Sequence, residues 1–322
     1  MSKYLEPSKS KTAWSATQEN SDVTSMQFSP NGKSLAIGCF NGNVYIRNSL
    51  ESRLMYRIQA VSSESPITSV KWHPFVANSI IATSASGFIT SWHTETGQRL
   101  WSLQEENNSI NSFDLSPNGQ FFCTAGGDCV VRNYSLTTKQ LINEMKTRSY
   151  IKGEVSGHEN RIFSVVYVDQ HTIASSGWDN TVIIWDARSG DVVRSIFGPQ
   201  VCGESMVALS DNIIITGSWR DEDQLQFWDV GTGKNLSTTS INFGDEPLQV
   251  YSLSLSKDKR IVGCSGSNLN AAAFYRTSDY KFLAETEKFS DCPNVIALTN
   301  DTYAIGLANS TVYCDSMMFD LI

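Results

Sequence analysis

Charge is scarce in this chain. Of its 322 residues, 18% are Asp, Glu, Lys or Arg, against roughly 25% in typical globular proteins. The surface must therefore lean on Ser, Thr, Asn and Gln. The shortage is greater on the basic side: 25 Lys+Arg face 33 Asp+Glu, a formal charge of −8. A nonspecific nucleic-acid binder needs a basic stripe, so no nucleic-acid partner is expected. Long apolar runs are also missing. Val165–Val168 and Ile213–Ile215 are strand-sized, far below the ~20 residues of a membrane span, and no membrane insertion is expected. The opening MSKYLEPSKSK lacks the apolar stretch of a secretory signal. The chain is accordingly expected to be cytoplasmic, its N-x-S/T sequons chance matches.

Catalytic and metal signatures are equally thin. There are four histidines, with no H-E-x-x-H and no paired metal-ligand spacing. The seven cysteines are odd in number and form no C-x-x-C, which fits reduced thiols packed as small hydrophobes. No Gly-rich phosphate loop occurs. The run Asp221-Glu222-Asp223 lacks the alternating oxygens and fixed glycine of a calcium loop. No cofactor, no metal and no small-molecule substrate are expected, and the chain is read as not an enzyme.

What is present is repetition. Residues 14–32, WSATQENSDVTSMQFSPNG, align without a gap on 101–119, WSLQEENNSINSFDLSPNG, at an offset of 87, or two units of about 43. Each unit has a small-residue strand, a turn, then a strand ending on one bulky position. Those ends are Arg47, Trp92, Tyr134, Trp185, Trp228, Phe274 and Asp315, at spacings of 45, 42, 51, 43, 46 and 41. Inside a unit the pattern is β: Thr24–Phe28 alternates, Pro30-Asn31-Gly32 turns, and Asn41-Gly42 is a tight-hairpin signal. No sustained 3.6-residue period occurs. Four antiparallel strands per ~43 residues, seven times, is the arithmetic of a β-propeller. The spacing of 51 places an insertion near Lys146–Val155.

Gly157-His158 followed by Trp185-Asp186, with Trp228-Asp229 one unit later, resembles the WD-repeat family. The likeness covers nearly the whole chain, with degenerate copies at Trp92-His93, Tyr134-Ser135, Phe274-Tyr275 and Asp315. It implies an all-β fold: one seven-bladed β-propeller of four-stranded antiparallel blades over 11–322, behind a flexible tail at 1–10. Trp14 matches Trp101 of an outermost strand but has no blade of its own. The N-terminal strand is therefore expected to complete the last blade, removing an open edge.

The resemblance also implies roles. His158, Ser175, Asp179 and Trp185 match the family's structural network, which outweighs any hydrolase reading of a Ser/His/Asp set. Phe40, Trp178 and Trp219 share one register, before the turn residues Asn41, Asp179 and Arg220, a position facing the narrow top surface of such propellers. With Arg220, Asp221 and Asp223 they are the candidate partner-binding residues, because Trp and Arg concentrate at binding hot spots. The leading expectation is a non-enzymatic protein–protein interaction scaffold within a larger assembly, ciliary and cytoskeletal ones included. The alternative is a substrate receptor of a cullin-RING ubiquitin ligase, docking through Trp185-Asp186-Ala187-Arg188 with Arg188 as the adaptor contact. A G-protein β-subunit is disfavoured, since only about ten residues precede the first strand.

Overall fold

Asn41-Gly42 sets the pattern for the fold. Gly42 takes φ 77°, a left-handed conformation that costs glycine nothing, and Asn41 Oδ1 accepts the Asn43 amide at 3.2 Å. The chain reverses there between strands Ser34–Cys39 and Asn43–Asn48. With Val23–Phe28 inside and Leu54–Gln59 outside, these form a four-stranded antiparallel meander. The computed structural model describes residues 12–15, 21–49, 51–61, 65–146, 157–243 and 246–317. Among them the meander occurs seven times and no α-helix is present.

The inner strands are Val23–Phe28, Ile67–Trp72, Ile110–Leu115, Ile162–Tyr167, Met206–Ser210, Glu246–Leu255 and Pro293–Leu298. They touch in order around a circle, and the seventh meets the first. The architecture is thus a seven-bladed propeller about a central channel. In an antiparallel meander, the hairpins between second and third strands lie at the same end as the connections from blade to blade. That end is called here the upper face.

Each blade has two apolar faces, and the core divides accordingly. Seven apolar clusters form, one in each gap between neighbouring blades. Ile46 and Val44 of blade one, for example, pack with Val70 and Ile80 of blade two. Side chains at alternate positions of one strand therefore serve different gaps.

The N-terminal strand closes the ring. Thr12–Ser15 pairs antiparallel with Thr311–Cys314 and completes a blade begun by Pro293–Leu298, Thr302–Leu307 and Thr311–Ser316. Arg47, standing where other blades carry Trp, clamps the seam. Its Nη2 donates to Ser15 O at 2.9 Å, its Nη1 to Ser52 O at 2.6 Å, and its guanidinium lies 4.7 Å from the Trp14 ring centre.

Two details depart from the sequence reading. In blade six the bulky mark is Tyr275, not Phe274. Val262 pairs with Tyr275 as Ile173 pairs with Trp185, and in both blades a register shift precedes that residue. Phe274 faces the opposite gap, fully buried against Ile296 and Ile305. Blade six also has a fifth strand, Asn242–Phe243, folded onto the start of Glu246–Leu255. The tail at 1–10 and the insertion near Lys146–Val155 fall at or beyond the edge of the described residues.

Deleting residues 1–18 should strip the outer strand of the last blade together with Trp14 and unseat Arg47. At about 2–4 °C per kcal/mol for chains of 150–250 residues, we expect a Tm lower by roughly 5 °C or more in a thermal melt, with aggregation through the bared edge. An unchanged Tm would show that closure does not stabilise the ring.

Candidate functional site

The one complete Gly-His/Trp-Asp unit builds a buried polar chain. His158 Nδ1 donates to Asp179 Oδ2 at 2.6 Å, and Nε2 lies 2.7 Å from Ser175 Oγ. Ser175 Oγ in turn accepts the Trp185 indole N–H at 2.7 Å. Asp179 Oδ2 also accepts the Glu159 amide. The chain ties a blade-to-blade connection to the second and third strands. Ser175 and His158 are 0% and 3% exposed, so the hydroxyl reaches no cavity and both its hydrogen-bonding directions are used. That is a framework, not a nucleophile.

Blade three solves the same problem with different chemistry, and sequence reasoning missed it. Tyr134, Thr124 and Asp128 occupy the registers of Trp185, Ser175 and Asp179. In place of the imidazole stands the buried Glu105. Its Oε1 accepts from Thr124 Oγ1 at 2.5 Å and Tyr134 OH at 2.9 Å; its Oε2 accepts from Asn108 Nδ2 at 2.6 Å and Arg132 Nη1 at 3.4 Å. Arg132 also meets Asp128 at 2.6 Å. Burial pulls the guanidinium down, but the Asp128 hydrogen bond and the Glu105 charge hold it above its usual value. Burial, then the Glu105 charge, pushes the Tyr134 phenol well up, so it remains a neutral donor. The available signal was an acid just before the blade and an arginine at mid-strand, where blade four has Ile183.

On the upper face, Phe40, Trp178 and Trp219 are 57%, 45% and 39% exposed. Trp178 leans on Phe163, ring centres 5.1 Å apart, and its Nε1 lies 2.8 Å from Cys202 Sγ. The Trp219 amide donates to Gln200 O at 2.9 Å. Both tryptophans thus flank one connection, 198–204, between blades four and five. Phe40 stands in blade one, away from them. Asp221 Oδ1 accepts from Gln249 Nε2 at 3.0 Å, and the Asp223 amide donates to Ser240 Oγ; Arg220 is half-buried beside them. Arg188 lies at the other end of its blade. It is held within its own turn by Asp186 at 2.8 Å, which depresses that carboxyl.

Cys39, Cys123, Cys264 and Cys314 are buried in strands, while Cys129, Cys202 and Cys292 are only half-buried and lie on upper-face connections. Burial still raises their thiols, Cys292 to about 11. None is an activated nucleophile.

The channel mouth is a second feature the sequence reading missed. In five blades the second residue of the inner strand, and in blade six Tyr251 within its longer one, is skipped by the ladder as a bulge. In blade four the glycine opposite makes room for the close approach, since a Cβ on Gly177 would lie 2.0 Å from Arg161 O, whereas in blade two Ser84 stands there. The skipped residue turns into the channel. Thr24, Thr68, Asn111, Phe163, Tyr251 and Asn294 hold these positions, Glu204 lies just ahead of the inner strand of blade five, and all seven line one cavity of about 470 Å³. Three of the polar members bond a carbonyl of the next blade: Thr24 to Ile67 O, Asn111 to Ile162 O and Asn294 to Val23 O. Deeper, Lys71 and Asp114 stand 3.9 Å apart.

Comparison with known proteins fits this architecture. Residues 3–136 match the family described as nucleolar protein 10-like, N-terminal domain, and residues 150–186 match the WD domain, G-beta repeat. The chain belongs to the WD-repeat β-propellers. Among its relatives, the ribosome biogenesis protein WDR12 homolog of Drosophila mojavensis is 21% identical over 305 residues, covering 87% of this chain and 69% of that protein. The WDR12 homolog of Nematostella vectensis is 26% identical over 139 residues, 38% of this chain and 33% of its own. The U3 small nucleolar RNA-associated protein 21 homolog of Schizosaccharomyces pombe is 25% identical over 249 residues, 76% of this chain and 26% of its own. The chain thus spans about a third of the Nematostella protein and a quarter of the fission-yeast one. Neither family description denotes a catalyst. The cytoplasmic expectation is corrected here: it rested on the lack of a signal sequence, which separates export from retention but not nucleolus from cytosol, and the nucleolar family description and the relatives named above point to the nucleolus or nucleus. The ubiquitin-ligase reading finds no support in these matches, and Arg188 is engaged by Asp186.

Removing one acceptor from each polar chain should separate their costs. Asp179→Ala leaves His158 without its buried partner and should destabilise by roughly 1–3 kcal/mol. Glu105→Ala leaves Arg132 facing lost charge and strips three neutral donors, so roughly 3–5 kcal/mol is expected. Urea unfolding measures both. Equal losses would mean that Glu105 is no more than a replacement for the imidazole.

Proposed function

We propose that this chain is a non-enzymatic propeller subunit of a multi-protein assembly of the ribosome-building kind, and that its upper face at blades four and five holds a protein partner. The observation that carries the reading is the pair of large indoles, Trp178 and Trp219, left about half exposed on either side of one connection. Half-exposed tryptophans in adjacent blades offer a partner large apolar area at little entropic cost. The names of the relatives support the setting. A nucleolar or nuclear site of action goes with that setting.

The partner surface is a protein and not an RNA backbone. Among the described residues of the upper loops, Asp128, Glu159, Asp221, Glu222, Asp223 and Asp291 stand against Arg161, Arg220, the Glu144-paired Lys146 and the Glu246-paired Lys288. Phosphates would be repelled from such a surface, and a basic protein would be steered to it. Arg220, between Trp219 and the acidic run, sets register in this reading.

Affinity purification of the tagged chain from its native cell, wild type beside a Trp178→Ala/Trp219→Ala variant, tests the proposal. Each hot-spot loss costs its complex about 2 kcal/mol or more, while surface substitutions leave stability within about 0.5 kcal/mol. We expect co-purifying proteins to be lost, the Tm to hold, and the wild-type chain to sediment with large particles. An unchanged partner set would refute the upper face as the docking surface.

A further inference from the structure

The channel-mouth ring is not uniform. Thr24, Asn111 and Asn294 spend their side chains on carbonyls of the next blade, and Thr68 Oγ1 lies 3.0 Å from Thr83 Oγ1. Three consecutive blades break this pattern, with Phe163, Glu204 and Tyr251. A phenyl ring cannot donate to a neighbouring carbonyl, and an ionised carboxylate only accepts. In ring order Glu204 stands between two aromatic residues, and its Oε1 is buried with, Ser69 apart, no hydrogen-bond partner among the described residues. The Glu204 side chain lines both the upper cavity and the larger one beneath it, of about 610 Å³. Burial pushes its carboxyl up, and the Lys71 charge and the Ser69 hydroxyl offset this only in part. Lys71 lies between two carboxylates: burial pulls its ammonium down, but the charge of Glu204 and then that of Asp114, 3.9 Å away, hold it above its usual value.

One carboxylate flanked by aromatic rings, at the bottom of an opening rimmed by more acids than bases, is a receptor for a cation. We propose that Phe163, Glu204 and Tyr251 form a pocket for an arginine side chain of a basic peptide segment in the partner. The assignment rests on the scaffold reading above and deepens it. A guanidinium is planar and weakly hydrated; it stacks on aromatic faces while its forked donors meet a carboxylate. An ammonium would match the charge but not the flat walls. The pocket is continuous with the tryptophan patch, because Trp178 packs on Phe163 and touches Cys202, both of which line the cavity. The peptide backbone then crosses the upper face between Trp178 and Trp219 while one arginine enters the channel mouth.

The full chain should be titrated into a fluorescein-labelled peptide in which arginine alternates with glycine and serine, with fluorescence anisotropy as the readout. Parallel peptides carry lysine or citrulline in place of arginine; citrulline keeps the shape and removes the charge. The arginine peptide should bind at least about tenfold more tightly than the citrulline peptide, with lysine between them. Glu204→Gln and Tyr251→Ala should each weaken the arginine peptide about tenfold. Glu204→Gln is nearly isosteric and leaves Asp114 beside Lys71, so it should do so with the propeller still folded, as a cooperative thermal melt would show. Phe163→Ala gives a second test of the walls should Tyr251→Ala fold poorly. Equal binding of arginine and citrulline peptides, or full affinity in Glu204→Gln, overturns the pocket. In the native purification, partners lost by the tryptophan variant but kept by Glu204→Gln would overturn the pocket and leave the scaffold reading standing. Partners kept by both would overturn that reading as well.

Discussion

Every blade of this protein depends on its two neighbours. A four-stranded sheet with two apolar faces has no core of its own, so burial happens only in the gaps between blades. Seven blades in a circle give seven gaps, and each holds one cluster. An open array of the same blades would have one gap fewer and two bare faces. The seam between blades seven and one is therefore where the ends of the chain have to be held together. The short strand Thr12–Ser15 and the clamp of Arg47 on Ser15 and Trp14 do this. The arginine among the bulky marks is explained by its place: blade one needs a long forked donor at the seam more than it needs an indole.

The same constraint shapes the inner strands, which carry contacts in three directions. Alternate side chains fill a gap or reach the next blade's backbone. Ser25 Oγ accepts the Val70 amide, Ser112 Oγ the Val165 amide and Ser252 Oγ the Ile296 amide. Two positions on, Gln27 Oε1 accepts the Trp72 amide and Asp114 Oδ2 the Tyr167 amide. These bonds satisfy inner-strand amides that have no sheet partner on the channel side. They also fix the angular position of each blade, so the loops above are held on a rigid frame. The bulge in six of the blades then frees one residue of each to point into the channel.

These relations decide what was readable from sequence. The number of blades, the hairpin turns and the closing strand follow from local signals that repeat: Asn41-Gly42, Pro30-Asn31-Gly32, and the match of Trp14 with Trp101. The shared register of Trp178 and Trp219 was equally local, and both lie exposed on one face. What could not be read were relations across blades. Glu105 looks like one more surface acid until Thr124, Tyr134 and Arg132 close over it. Thr24, Phe163 and Tyr251 share no residue type, so no comparison of units would align them; only the bulge register does. The slip from Tyr275 to Phe274 has the same origin, since adjacent aromatics point into opposite gaps and the sequence does not say which gap is which.

Degeneracy in the repeat is therefore of two kinds, and the distinction bears on function. In one kind the framework finds another solution: carboxylate for imidazole in blade three, or Thr216 accepting the Trp228 indole in blade five. In blade two the solution is incomplete, because Ala82 stands where Ser175 stands and the Trp92 N–H finds no acceptor among the described residues. Both belong to stability alone. In the other kind, a residue leaves the framework altogether. The side chains of Phe163, Glu204 and Tyr251 give up the bond to the next blade's carbonyl that Thr24, Asn111 and Asn294 make, although the Glu204 carbonyl still accepts the Leu253 amide of the next blade at 3.1 Å. A closed ring with seven cores tolerates the loss of a few such bonds, because closure and burial supply most of its stability. Side chains released in this way gather where the blades converge, so the most irregular part of the repeat is also the part best placed to meet a partner.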